Sequence, residues 1–232
     1  FLTVGVVDVS AGTRDITKLT GLARRMPALA VASGLAAASM AGLPPLFGFV
    51  AKEAALDALV KITQGGDGTG MLPAPAFLLT TAVVVGSMLT AAYSLRFWWG
   101  AFGTRRRSVQ LDGVKRPAFG FIAGPVLLGV LSLVLGFLGP QATALLGTYT
   151  RSIQVGSEPH SLALWHGFTL PLALSAVALT GGALLFWQRE TVARVQATFP
   201  QVPAANDFYR WSMRMLDVAA VEVTARVQRG SL

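Results

Sequence analysis

Five apolar stretches separated by short polar loops restrict this chain more than any other feature. Residues 1–9, 28–60, 77–102, 118–139 and 162–187 are dominated by Ala, Leu, Val, Gly and Phe. A helix crosses the hydrocarbon core of a bilayer in roughly 20 residues. The four longer stretches meet that length, and residues 1–9 form a partial span. In lipid every backbone polar group must be satisfied internally, which leaves helices or a closed β-barrel. The stretches lack the period-two alternation of barrel strands, so helices are expected. Hydrophobic residues make up 53% of the 232, and charged residues only 13%, about half the share of a soluble domain. The expected fold class is all-α, a multi-span transmembrane helix bundle.

The loops alternate in charge. Residues 10–27 carry Arg14, Lys18, Arg24 and Arg25 against Asp15, and residues 61–76 hold only Lys61 and Asp67. Residues 103–117 carry Arg105, Arg106, Arg107, Lys115 and Arg116, and residues 140–161 only Arg151 and Glu158. The tail, 188–232, is again rich in arginine. Cytoplasmic loops are enriched in Lys and Arg. This pattern predicts that loops 10–27 and 103–117 and the tail are cytoplasmic, with 61–76 and 140–161 on the outer side. The net charge of +8 is thereby assigned to inward-facing loops that touch anionic lipid, not to nucleic acid. The expected organisation is a membrane domain over 1–187 and a connector over 188–232. In the connector, Phe208, Trp211, Met215, Leu216, Ala219 and Val223 recur at three- and four-residue spacing, with Asp207 as the expected N-cap. That is an amphipathic helix suited to a membrane surface or a neighbouring subunit.

One span is interrupted. In Met40-Ala-Gly-Leu-Pro-Pro-Leu-Phe-Gly-Phe-Val-Ala-Lys-Glu53 an apolar helix runs into Gly42, Pro44 and Pro45, then resumes. Proline removes a backbone donor and clashes with the preceding turn, so the helix must break there. Lys52 and Glu53 follow about two turns later. An ionisable residue within a span is costly and marks ion or proton paths. Free carbonyls at the end of the first half-helix can hold a cation or water. Gly48, one turn before Lys52, is expected to clear space on the face over which that side chain leans. A lysine able to lose its proton within the membrane would serve as a relay; the alternative is that Lys52 snorkels to the outer interface. Glu53 points about 100° away from Lys52. It shares a face with Asp57, as an acidic outlet or a solvated helix end.

Other candidates carry structural alternatives. Arg96, followed by Trp98 and Trp99, is read as an interface anchor, the alternative being a role in the ion path. His166 near the start of the last span is either a satisfied structural histidine or a proton entry or exit point. Gly120 and Gly124, and Gly86 with Thr90 and Ala91, have the small-residue spacing of helix-packing faces. Pro125 and Pro171 are expected near the starts of their spans. Gly65-Gly-Asp-Gly-Thr-Gly70 lacks the Lys-Ser/Thr of a phosphate loop. Cysteine is absent, and no cofactor or metal site is expected.

Several of these segments resemble a known family. Gly12-Thr-Arg-Asp-Ile-Thr-Lys-Leu-Thr-Gly-Leu22 with Arg24-Arg-Met-Pro27, the broken segment Ala41–Glu53, and Ala91-Ala-Tyr-Ser-Leu-Arg-Phe97 resemble the antiporter-like subunits of respiratory complex I and Mrp-type antiporters. Leu162-Ala-Leu-Trp-His-Gly-Phe168, Asp207-Phe-Tyr-Arg-Trp211 and Gly230-Ser-Leu232 look most like the A subunit of the Mrp-type multisubunit cation/proton antiporter. The resemblance implies a bacterial cell-membrane protein that works with other antiporter subunits to exchange Na⁺ or a similar cation for protons. It also implies that Lys52 terminates the proton path. Phe1-Leu-Thr-Val opens in mid-span, and the family's His-Ala-x-x-Lys element falls just before it, so a fragment of a longer protein is expected. The alternative is a proton-translocating subunit of complex I or a membrane-bound hydrogenase. A purely structural subunit would keep cation-dependent proton exchange after Lys52→Ala.

Overall fold

The computed structural model describes residues 1–16, 18–65, 72–103, 114, 116–153, 162–165, 167–198 and 205–227. Secondary structure among them is helical, in two compact units, Phe1–Trp187 and Gln188–Leu232. The first unit contains α1 (Leu2–Ala11), α2 (Pro27–Ala41), α3 (Phe47–Thr63), α4 (Pro73–Phe102), α5 (Phe119–Phe137), α6 (Gly139–Ile153) and α7 (Leu170–Trp187). The second contains α8 (Arg189–Thr198) and α9 (Ala205–Val227). Among the described residues α4, α5 and α7 are each long and apolar enough to cross a membrane.

The interrupted span forms two helices at the centre of the first unit. α2 packs on α4 and α5, and α3 packs on α4, α5 and α7. Pro27 opens α2, where its fixed φ suits the first turn and its missing N–H costs nothing. Alanine dominates the rest of α2, giving high helix propensity and a thin helix that neighbours can approach. Gly42 ends it in the left-handed conformation, φ 83° and ψ 45°. The Gly42 N–H reaches the Ser39 carbonyl at 3.0 Å and the Leu43 N–H the Ala38 carbonyl at 2.9 Å. These bonds close the helix as a Schellman-type cap. The Pro44–Pro45 peptide is cis.

Cross-contacts fix the directions of the neighbours. Trp98 of α4 donates its indole N–H to the Ala30 carbonyl of α2 at 2.9 Å, while Gly129 of α5 lies against Leu35, and Gly136 against Pro45. α2 therefore runs alongside α5, and the break is level with the C-terminal end of α5. At the opposite end Val6, Val7, Leu19, Leu22, Met26, Leu29, Ala101 and Phe102 form a buried cluster under the connection from α1 to α2. Gly21, at φ 64°, donates its N–H to the Gly103 carbonyl at 2.8 Å and pins that connection to the end of α4. Arg14 bonds Asp8 at 2.8 Å; the hydrogen bond first, and the charge second, push the guanidinium pKa up.

Several expectations are corrected. The segment read as the outer loop 140–161 contains α6, whose Thr143 hydroxyl accepts the Leu162 N–H at 2.7 Å. α4 begins at Pro73, not at 77, because Pro73 and Pro75 occupy its first turn, where proline is tolerated. By contrast, Pro125, buried in the first half of α5, and Pro171, the second residue of α7, both lie toward the starts of their helices as expected. Asp207 is in the first turn of α9 and not before it, where its charge still suits the helix dipole. Within α9, Phe208 and Trp211 rings lie 5.8 Å apart, and Arg226 pairs with Glu222 at 2.9 Å.

The packing glycines also differ from those expected. A Cβ on Gly120 or Gly86 would meet open space, and on Gly124 only the tip of Leu2 at 3.5 Å. The close approaches are at Gly136 of α5, and at Gly181 and Gly182 of α7, which face Met88 and Ala91 of α4. A Cβ on Gly136 would collide with the Pro45 carbonyl oxygen. Gly136→Ala is therefore expected to destabilise the protein by about 1–3 kcal/mol through overpacking, whereas Gly120→Ala leaves stability unchanged. Thermal denaturation of the two variants in detergent checks the pair.

Candidate functional site

The site is built by the break itself. α2 leaves unsatisfied carbonyls at its end, as every helix does. Lys52 lies in the second turn of α3, and side chains on a helix lean toward its N-terminus. The lysine consequently reaches back across the break. Its Nζ donates to the Ala41 carbonyl oxygen at 2.6 Å. The side chain is half-buried and lies over the backbone of Gly42. A Cβ on Gly42 would stand 2.8 Å from Nζ and 3.1 Å from both Cδ and Cε. Gly42 therefore has two functions. It supplies the left-handed backbone that ends α2, and it leaves the floor on which the lysine rests.

Gly48 has a different role from the one its spacing suggests. Its missing Cβ faces the carbonyl of Ser39, not Lys52, and any side chain there would drive α3 away from α2. The Gly48 N–H reaches the Ser39 hydroxyl at 3.3 Å, and that hydroxyl lies 2.8 Å from the hydroxyl of Ser132 on α5. No side chain caps α3 from its own N-cap residue, Leu46. Ser39 therefore performs that task from across the break. Sequence reasoning missed both serines; the only available signal was a hydroxyl residue in the last turn before Gly42.

The acidic residues differ in burial. Glu53 is buried, 6% exposed, on the face of α3 that carries Phe49, Val50, Leu56 and Val60. Asp57 pairs with Lys61 at 2.7 Å near the end of the helix. Trp98 is turned into the bundle by its bond to Ala30, while Arg96 and Trp99 are exposed on α4. His166 lies outside the described residues, as do Arg105–Arg107 and residues 66–71. No group of acidic or histidine residues suited to a metal ion occurs among the described residues. The arrangement offers a lysine amine held on a helix-end carbonyl within an apolar bundle, with the buried Glu53 next to it in sequence.

Comparisons with known proteins bear on this geometry. Residues 1–65, which include the whole break, match the transmembrane family described as NADH:quinone oxidoreductase/Mrp antiporter. The chain is 29% identical along its whole length to the A subunit of the Na(+)/H(+) antiporter of Alkalihalophilus pseudofirmus, covering 29% of that protein. It is 33% identical over 81% of its length to the A/B subunit of a probable K(+)/H(+) antiporter of Rhizobium meliloti, covering 18% of that protein. The chain thus spans less than a third of the length of these relatives. Its fold superposes on a chain in the structure of the Mrp complex from Dietzia sp. DQ12-45-1b with a TM-score of 0.74 and 32% identity. That match covers all of this chain and 24% of the other.

Gly42 and Gly12 both adopt positive φ, but a Cβ on Gly12 would meet nothing within 4 Å. Each alanine substitution should cost about 1–2 kcal/mol from the backbone. Gly42→Ala should lose more than Gly12→Ala because it also displaces Lys52. Comparing their denaturation midpoints isolates that contact.

Proposed function

We propose that this chain, which belongs to the membrane-subunit family shared by NADH:quinone oxidoreductase and Mrp antiporters, supplies the late broken helix and its lysine to the proton path of a multisubunit antiporter. The exchanger moves Na⁺ or a similar monovalent cation against protons, acting as a secondary transporter together with other antiporter subunits. The observation that carries this reading is the contact of Lys52 Nζ with the Ala41 carbonyl at 2.6 Å. A lysine that snorkelled outward would extend along α3 toward Thr63; this one turns back into the break.

The contact suits a relay for electrostatic reasons. An ammonium taken out of water needs compensation, and the partial negative charge at a helix C-terminus supplies it. That compensation is smaller than a paired carboxylate would give, so neither protonation state is locked. Glu53, buried on the next residue, and Asp57, toward the far end of α3, extend the ionisable positions along that helix. The charge of loops 10–27 and 103–117 and of the arginine-rich tail favours a start of α2 on the cytoplasmic side of a bacterial cell membrane, with Lys52 in the outer half. Arg96 and Trp99, exposed on α4, anchor that helix at the interface. Trp98, by contrast, clamps α4 to α2. His166 is kept as a candidate for proton entry or exit.

The test uses the complete antiporter assembled with its partner subunits in inside-out vesicles, with a pH-sensitive dye reporting Na⁺-driven proton movement. Lys52→Ala should reduce exchange by roughly 100-fold or to background, the scale expected when a proton-transferring group is removed. Lys52→Arg keeps the charge but cannot release a proton, and should fail equally. Exchange at the parent rate in either variant, at normal complex levels, would overturn the proposal.

A further inference from the structure

We propose that Ser39 is a positioning residue for Lys52, capping α3 across the break while Ser132 fixes its hydroxyl. This rests on the reading of Lys52 as the proton relay. The start of α3 presents N–H groups that lack intrahelical acceptors; the Leu46 carbonyl takes the Phe49 N–H at 3.0 Å, but Leu46 has no side-chain acceptor for the Gly48 N–H. The Ser39 hydroxyl takes the Gly48 N–H at 3.3 Å and meets Ser132 at 2.8 Å. Its own carbonyl accepts the Gly42 N–H at 3.0 Å. One residue thus closes α2, opens α3 and ties both to α5.

The direction of the Ser39 hydroxyl distinguishes it from other hydroxyl residues in this bundle. Ser33, Thr80, Thr90 and Thr180 turn back to the carbonyl four residues earlier, at 2.6, 2.8, 2.7 and 2.7 Å. That is the usual resting place of a hydroxyl on an apolar helix. Ser39 instead reaches two other helices. The absence of a side chain at Gly48 is what lets it do so, because a Cβ there would strike the Ser39 carbonyl.

The consequence for Lys52 is geometric. Gly48 and Lys52 are one turn apart on α3, and Ser39 and Ala41 lie in the last turn of α2. Two bonds cross the break between these pairs, Ser39 to Gly48 and Ala41 to Lys52. Together they form a closed ring that sets the separation of the half-helices. Loss of the first bond is expected to loosen the second. Ser132 holds the ring from α5, so a shift of α5 would be felt at the lysine without touching it.

The experiment uses the assembled antiporter in inside-out vesicles with Ser39→Ala, Ser132→Ala, the double variant, Ser39→Thr and Lys52→Ala. Complex abundance, maximal rate, half-saturating Na⁺ and the pH profile are measured for each. Ser39→Ala is expected to lower the maximal rate about fivefold, the scale of one lost hydrogen bond. It should also displace the pH profile while leaving half-saturating Na⁺ and complex abundance at parent values. Ser39→Thr, which restores the hydroxyl, should recover the parent profile. The double variant should match Ser39→Ala, since the two hydroxyls act as one unit. Loss of rate explained wholly by loss of complex, a parent pH profile in Ser39→Ala, or additive effects in the double variant would each overturn the positioning role. The outcomes also separate the two proposals. Lys52→Ala at the parent rate defeats the relay itself. Lys52→Ala inactive beside Ser39→Ala at the parent rate and pH profile defeats only the positioning role.

Discussion

A helix that stops inside an apolar bundle must find partners for its last carbonyls, and in this protein one of those partners is a lysine. The Lys52–Ala41 bond at 2.6 Å joins two needs that would each be costly alone. An orphan carbonyl in hydrocarbon lacks a donor, and an ammonium there lacks compensation. Each satisfies the other. Gly42 permits the bond by ending α2 in a left-handed turn and by leaving no Cβ beneath the lysine. The rest of the first unit is arranged around this junction.

The neighbouring helices reach the junction through small residues. Gly136 brings α5 against Pro45, and Gly48 brings α3 against Ser39. Gly181 and Gly182 bring α7 onto α4, which in turn packs on α2 and α3. Close backbone approach replaces hydrophobic drive in a membrane, where lipid tails are as apolar as leucine. At the opposite end of α2 the bond from Trp98 to Ala30 and the buried cluster around Leu22 and Phe102 hold the entry to the helix. α2 is thus fixed at both ends, and the break is held where its polar groups have partners.

Much of this was legible in the sequence. Apolar length and the rarity of charges within it pointed to an all-α membrane bundle, and Gly42, Pro44 and Pro45 to the interruption, because proline and glycine act through local backbone physics. Lys52 stood out because charge inside a span is rare. The lysine's partner was not legible. Which carbonyl it meets depends on how α2 and α3 fold back, a tertiary property. Gly48 looked like room for Lys52 at helical spacing but serves the contact with Ser39. Gly120 and Gly124 had the right spacing for packing and face open space or the tip of Leu2. Spacing identifies candidate faces, and only the fold decides which one is used. α6 was read as a loop because its composition is mixed and too polar for a membrane span.

Everything at the junction depends on where the Lys52 side chain goes. A cryo-electron microscopy map of the proposed antiporter assembly, sharp enough to trace side chains around the break, reads that directly. Density for Nζ within hydrogen-bond distance of the Ala41 carbonyl, over Gly42, is the expected result. Density running along α3 toward Thr63 and away from the break would contradict it and assign the lysine to snorkelling.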